Sequence, residues 1–268
     1  MRDIEIVMAN PAGNITAFVL TPVDQKDYKK IGKLLLDNKE LHAEQVGFVK
    51  EFSPQPRLEM CGLEFCGNAG RAFGLLCARE SNIFGQAYLQ ISESGCEHPL
   101  LCDVDVSRQT AFISMPLPKT VSILQDTGIS ELDGATLVDL DGIVHVIMKD
   151  TSIEPSLEIF TRIQEYVMRE YNPPAMGLMF VQPDKAIVPF VYVKEVDSIF
   201  AEGSCASGTT ACAIAWSQNS PRDDLAYLVK EPAGELQVYV KLDKGVLKQI
   251  SIGGPVELSE PFMINLNI

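Results

Sequence analysis

From the first residues, RDIEIVMAN, polar and apolar positions alternate with the period of a half-buried strand. The alternation resumes after NPAGN, so strands are expected at about 3–8 and 14–20. It then gives way to helical spacing, with Ile31, Leu34 and Leu35 marking one face of a helix over about 25–38. A strand at 45–51 leads to a helix-compatible run of small residues behind Cys66, and the stretch from 87 to 116 reads as β-rich. The second half shows the same succession. Strands are expected near 136–148, a helix near 156–171, strands at 176–181 and 187–193, a helix behind Cys205, and strands from 226 to 258.

The succession repeats because the chain resembles itself. Cys66 and Cys205 stand 139 positions apart, as do Tyr88-Leu89 and Tyr227-Leu228, Gly95 and Gly234, Ile113 and Ile252, and Pro116 and Pro255. Upstream the offset drops to about 130, where GNITAFVL matches DGIVHVIM and VGFV resembles MGLM. Two similar domains are therefore expected, 1–120 and 121–259, joined near Pro116 to Ser130. No segment is low-complexity or linker-like, which argues for closely packed halves.

Each half offers one cysteine at a turn-to-helix junction, Cys66-Gly67-Asn68-Ala69 and Cys205-Ala206-Ser207-Gly208. Small side chains there uncover the amides of a first helical turn, which have no partner within the helix. With the helix dipole they form a site for a carboxylate, and the same field favours a thiolate. Two thiols aimed at one carbon suggest proton exchange α to a carboxylate: one removes the proton as thiolate, the other returns one to the opposite face. The chain carries neither G-x-G-x-x-G after a strand nor a phosphate-binding G-x-x-x-x-G-K-[ST]. A thiol redox or metal-binding protein is the alternative. Its weakness is that the Cys61/Cys66 and Cys205/Cys212 spacings do not match C-x2-C metal pairs.

Composition narrows the partners. A formal net charge of −14 argues against nucleic acid and anionic membranes, which demand clustered Lys and Arg. No apolar run reaches membrane-spanning length, and the N-terminus lacks the apolar region of a signal peptide. Seven cysteines without a disulfide-framework spacing read as reduced thiols in a cytoplasmic protein.

The residues NPAGN (Asn10 to Asn14), EQVGF (Glu44 to Phe48), EFCGNAGR (Glu64 to Arg71) and GSCASGTTA (Gly203 to Ala211) resemble the diaminopimelate epimerase superfamily of cofactor-independent racemases, over nearly the whole chain. That resemblance implies an α/β (α+β) fold of two pseudo-symmetric domains, each a β-barrel-like mixed sheet wrapped around a central helix. It also implies a site in the cleft and a last segment, 260–268, returning to the first domain. It makes Cys66 and Cys205 the acid/base pair and Asn14 and Gln45 polar contacts to substrate, with Gly67, Asn68, Ala206 and Ser207 supplying amides to the α-carboxylate. No cofactor or metal is implied. The partner is a small amino acid, and a homodimer is left open.

The superfamily's Glu-Arg pair, which holds the distal end of diaminopimelate, falls on Val196-Asp197. An expected Asn falls on Ala175, and Asn-Pro-His reads Ile143-Val144-His145. A distal carboxylate without its Arg is poorly paired in a desolvated cleft. The pattern is instead similar to the histidine racemases of opine-metallophore pathways, in which Glu44 or Glu202 would meet an imidazole. Relatives that isomerise prolines or hydroxy acids more often show Cys-Gly-His at the first site. A cleft of this kind would let Cys66 and Cys205 oxidise to a disulfide in air, making activity depend on reductant.

The remaining candidates have plain structural readings. Cys61, Cys77, Cys96, Cys102 and Cys212 are expected in the core. His42 and His98 are expected at the surface, and Arg71 in a pair with a surface carboxylate. His145, in an apolar strand, is expected in the core while aligning with a cleft histidine of the superfamily. Glu64 reads as a solvated charge at a helix N-terminus, and Glu202 as a candidate substrate contact.

Overall fold

The computed structural model describes residues 2–267, with the side chain of Val196 excepted. Met1 and Ile268, at the ends of the expected domains, and the Val196 side chain lie outside the described residues. In chain order the strands are β1 (Arg2–Asn10), β2 (Thr16–Val19), β3 (Gln45–Glu51), β4 (Arg57–Met60), β5 (Gln86–Glu93), β6 (Leu100–Asp105), β7 (Thr110–Ser114), β8 (Thr120–Ile123), β9 (Thr136–Asp139), β10 (Ile143–Ile147), β11 (Ala175–Val181), β12 (Ile187–Val193), β13 (Ser198–Ala201), β14 (Asp224–Glu231), β15 (Gly234–Asp243), β16 (Val246–Pro255), β17 (Glu257–Leu258) and β18 (Phe262–Leu266). The α-helices are α1 (Tyr28–Leu36), α2 (Gly67–Glu80), α3 (Leu157–Glu170) and α4 (Ala206–Ser217).

The chain divides into two compact units, Met1–Ser114 with Gly253–Ile268, and Met115–Ile252. In the first unit the strands run β7-β6-β5-β4-β3-β2-β1, with β17 and β18 both on β1. Pairings β2–β3 and β4–β5 are parallel and the others in this run are antiparallel, so the sheet is mixed. In the second unit a six-stranded sheet runs β13-β12-β11-β10-β9-β8, with β10–β11 parallel, and β14, β15 and β16 follow one another as neighbours. The expected α+β architecture, a mixed sheet around a central helix in each half, is what forms.

Two kinds of helix serve these units. On α1, Tyr28, Ile31, Gly32 and Leu35 are buried, and on α3, Phe160, Ile163 and Val167. Each is one stripe at helical spacing, laid on a sheet. The Ser156 hydroxyl caps α3 by accepting the Ile159 amide at 3.3 Å.

The helices behind the cysteines have no solvent face to speak of. Every residue of α2 from Gly67 through Ala78 is buried, and α2 packs against β1, β5, β6 and β7. In α4 the buried set runs from Ala206 through Ile214 with Ser207 alone half-exposed, and α4 packs against β9, β10, β11, β14 and β15. Small residues make this enclosure feasible. A Cβ on Gly74 would collide with the Cys102 sulfur, and one on Gly208 with Met179. No helix among the described residues is long and apolar enough to cross a membrane.

Candidate active site

The Cys66 junction is built within the first unit. Cys66 has extended backbone (φ −134°, ψ 101°) as the N-cap of α2, and its carbonyl accepts the Gly70 amide at 2.8 Å. Its amide donates to Glu93 Oε1, at the end of β5, at 2.9 Å. The thiol donates to Asn14 Oδ1 at 3.6 Å. Asn14 is delivered by the loop after β1, where Ala12, Gly13 and Asn14 take φ of 58°, 92° and 58°. Asn tolerates that left-handed region and Gly is at ease in it, which is why the turn reads AGN.

Arg71 locks this loop in place and corrects the expectation of a surface ion pair. It is fully buried, and among its donations are Nη2 to the Pro11 carbonyl at 2.6 Å and Nη1 to those of Gly254 and Pro255 at 3.2 and 3.1 Å. Its Nε donates to Asn68 Oδ1 at 3.2 Å. A guanidinium has five N–H donors, enough to satisfy several buried carbonyls at once.

The Cys205 junction repeats this backbone in the second unit. Cys205 caps α4 with φ −127° and ψ 97°, its carbonyl accepts the Thr209 amide at 2.8 Å, and its amide donates to Glu231 Oε1, at the end of β14, at 2.8 Å. The side chains differ. Cys205 Sγ lies 3.6 Å from Ser207 Oγ, which lies 3.0 Å from His145 Nε2 on β10. Gly177, opposite His145 in the parallel β10–β11 register, leaves room for the ring: a Cβ there would overlap it.

Burial holds His145 neutral, with its pKa lowered to about 3. Nδ1 has no partner among the described residues, so the Nε2–H tautomer, which leaves a lone pair rather than a donor unsatisfied, is favoured. His145 Nε2 then donates to Ser207. Burial also pushes the Cys205 thiol well up, the Glu202 and Glu231 carboxylates push the same way, and the Gly208 amide opposes them.

Of the remaining candidates, Glu44 is exposed, and its Oε1 accepts the Ile15 amide at 3.4 Å beside the Asn14 turn. Gln45 opens β3 opposite Thr16. Thus Asn14, Glu44, Gln45, Cys66, Gly67 and Asn68 gather in the first unit, and His145, Glu202, Cys205, Ala206 and Ser207 in the second. Cys77, Cys102 and Cys212 are buried, whereas Cys61 and Cys96 are only half-buried; the Cys61 thiol donates to the Tyr28 carbonyl at 3.3 Å. His42 and His98 are exposed, as expected.

Sequence reasoning missed Glu93 and Glu231, the buried carboxyls beneath the two cysteines. A signal existed. Each continues the inward face of its strand, two residues after Ile91 or Val229, and each closes a strand shortly before the repeated glycine, Gly95 or Gly234. Acidic residues are almost never fully buried unless paired, and their charge hid the alternation.

Comparison with known proteins agrees with this architecture. A family model described as the histidine racemase CntK N-terminal domain matches residues 3–261. The chain is 34% identical over 268 residues to the histidine racemase of Fusobacterium nucleatum subsp. nucleatum, covering 96% of this chain and 95% of that one. It is 28% identical over 265 residues to the histidine racemase of Staphylococcus aureus, covering 94% of each. Among solved structures, a phenazine biosynthesis protein of the PhzF family from Bacillus anthracis has a TM-score of 0.71 at 13% identity, over 99% of this chain and 100% of that one, a likeness of fold.

Proposed function

Since the chain belongs to the family of the histidine racemase CntK N-terminal domain, we propose that it interconverts L- and D-histidine by exchanging the Cα proton between Cys66 and Cys205. The observation that carries this reading is the duplicated junction: two cysteines, each the extended N-cap of a buried helix.

The Cα proton of an amino acid is too weakly acidic for an unaided thiolate, so the carboxylate must absorb the charge that develops. The first turns of α2 and α4, at Gly67-Asn68 and Ala206-Ser207, direct amides and the positive ends of the helix dipoles to that task. One cysteine, as thiolate, takes the Cα proton. The C–H pair moves into the carboxylate as an enediolate, and an S–H bond forms. The other cysteine, as thiol, delivers its proton to the opposite face and is left as thiolate. Nothing is oxidised or reduced, and the enzyme ends with its two protonation states exchanged. The reverse enantiomer follows the same steps from the other side.

Asn14, which accepts from the Cys66 thiol, Ser207, between Cys205 and His145, and Glu202, hydrogen-bonded to the Cys205 thiol, are polar groups placed against the reacting sulfurs within their units. Glu44 and Glu202 are the acidic groups assigned to the imidazole side of the substrate. Reduced thiols suit the cytoplasm, and the strongly acidic chain suits a small-molecule partner rather than nucleic acid.

Chiral chromatography tests the proposal. Incubation with L-histidine is expected to bring the D-enantiomer to parity, with meso- and LL-diaminopimelate left as supplied. A protein that epimerises diaminopimelate and leaves L-histidine untouched overturns it.

A further inference from the structure

The carboxyls of Glu93 and Glu231 accept the amides of Cys66 and Cys205 in the same way, yet their surroundings differ by design of the sequence. Glu231 is bound by two hydroxyls besides the Cys205 amide: Thr209 Oγ1 donates to Oε1 at 2.9 Å and Ser204 Oγ to Oε2 at 2.7 Å. At the offset of 139, Ser204 and Thr209 correspond to Phe65 and Gly70, neither of which has a side-chain donor. Glu93 Oε2 accordingly has no partner among the described residues and lies against Gly70, where a Cβ would overlap it. Three donors suit a carboxylate, whereas a buried oxygen with none suits a neutral acid.

We propose that these are positioning residues of two kinds: Glu231, as a carboxylate beneath the first turn of α4, keeps Cys205 in its thiol form, whereas Glu93, as a neutral acceptor, fixes the Cys66 backbone without opposing a thiolate there. The inference deepens the racemase reading by naming the cysteine that rests as the acid. A negative charge at a helix N-terminus cancels the field that would otherwise favour a thiolate. Burial, the largest influence, raises the Glu93 carboxyl well above the usual range; the Cys66 amide opposes it, and the neighbouring Glu64 adds to it. The titratable and charged groups around Cys205 in its unit include Glu202 ahead of α4, Glu231 on β14, the buried Cys212 thiol of α4, on which Glu231 also acts, and His145 on β10, reached through Ser207. Around Cys66 stand Glu93 on β5, Glu64 in the preceding turn and Arg71 one turn into α2, and Glu93 also acts on the Cys96 thiol and, with Arg71, on that of Cys102 on β6.

The test is the pH dependence of thiol modification by methyl methanethiosulfonate, read cysteine by cysteine by peptide mass spectrometry. It needs no substrate, so it fails or succeeds independently of histidine turnover. Glu231→Gln keeps an acceptor for the Cys205 amide and removes the charge. It is expected to raise Cys205 modification at pH 7 about tenfold, one unit in the midpoint, whereas Glu93→Gln leaves the Cys66 profile unmoved. Ser204→Ala/Thr209→Val, which strips two donors from Glu231 and retains its side chain, is expected to shift Cys205 in the same direction. In the unaltered protein the Cys205 midpoint is expected above that of Cys66. Superimposable Cys205 profiles in both variants, or a Cys66 shift in Glu93→Gln as large as that of Cys205 in Glu231→Gln, overturn the proposal.

Discussion

The first turn of α2 and the first turn of α4 share a backbone and differ in the side chains packed around it. Phe65, Asn68, Gly70 and Arg71 correspond at the offset of 139 to Ser204, Ser207, Thr209 and Thr210. In the first unit Arg71 ties the Asn14 turn, Asn68 and the segment at Gly254-Pro255 into one frame, and the cysteine is half-buried. In the second unit hydroxyls replace that frame, with Ser204 and Thr209 on Glu231 and Ser207 between Cys205 and His145, and the cysteine is buried. Extended backbone leading into a buried helix is what places a sulfur at a helix mouth. The side chains around it then decide whether that sulfur sits beside an arginine-held frame or among hydroxyls. A duplicated fold can thus supply two thiols in the same position with different acid strengths.

The comparison breaks most visibly at the sulfurs. Cys66→Ala and Cys205→Ala are each expected to lower histidine racemisation by a factor of about 10³ or more, since each removes one proton-transfer group; chiral assay of both variants checks this. Next, Arg71→Met is expected to cost about 3 kcal/mol or more, because several buried acceptors lose a charged donor. Its positional counterpart Thr210, whose hydroxyl returns to the Ala206 carbonyl of its own helix at 2.8 Å, is expected to cost under about 1 kcal/mol as Thr210→Ala. Urea denaturation of the pair measures the asymmetry.

The third contrast concerns the ring held beside a glycine on the neighbouring strand. Phe18 pairs with Gly47, and His145 pairs with Gly177, each across a parallel ladder. His145 has a folded pKa of about 3 against an ordinary value of 6.5, so the unfolded chain binds the extra proton. Its contribution to stability is present above pH 6.5 and is lost as pH falls from there toward 3, by about 1 kcal/mol per unit. His145→Phe, which gives the second unit the ring of the first, is expected to flatten that part of the stability profile between pH 6.5 and 4.5. The smallest effect is expected from Ser207→Ala, which breaks the link between His145 and Cys205: a fall of about three- to tenfold in kcat with KM little changed.

Much of this was legible in the residues, and the exceptions have physical causes. Strong periodicity located β3, β12, α1 and α3 closely, because each buries one face or is buried on both. β8 and β13 escaped notice because they are the four-residue edges of the six-stranded sheet and bury little, so their side chains need not alternate. β4, RLEM, is equally short and follows the prolines at 54 and 56. At the site, the two cysteine junctions were readable from small-residue motifs, whereas Asn14 entered only through the resemblance carried by NPAGN. Arg71 was misread because nothing local marks a guanidinium whose acceptors are carbonyls 60 and more than 180 residues away. Glu93 and Glu231 were hidden for the related reason that a buried carboxyl is identified by its donors, and those lie 22 to 27 positions distant.

Proton exchange at Cα in deuterium oxide tests the central claim most directly. With L-histidine as substrate, D-histidine is expected to form carrying deuterium at Cα, because the returning proton comes from the second thiol after it has equilibrated with solvent. Neither Cys66→Ala nor Cys205→Ala should form it. Inversion that proceeds undiminished in both variants would contradict the two-cysteine account.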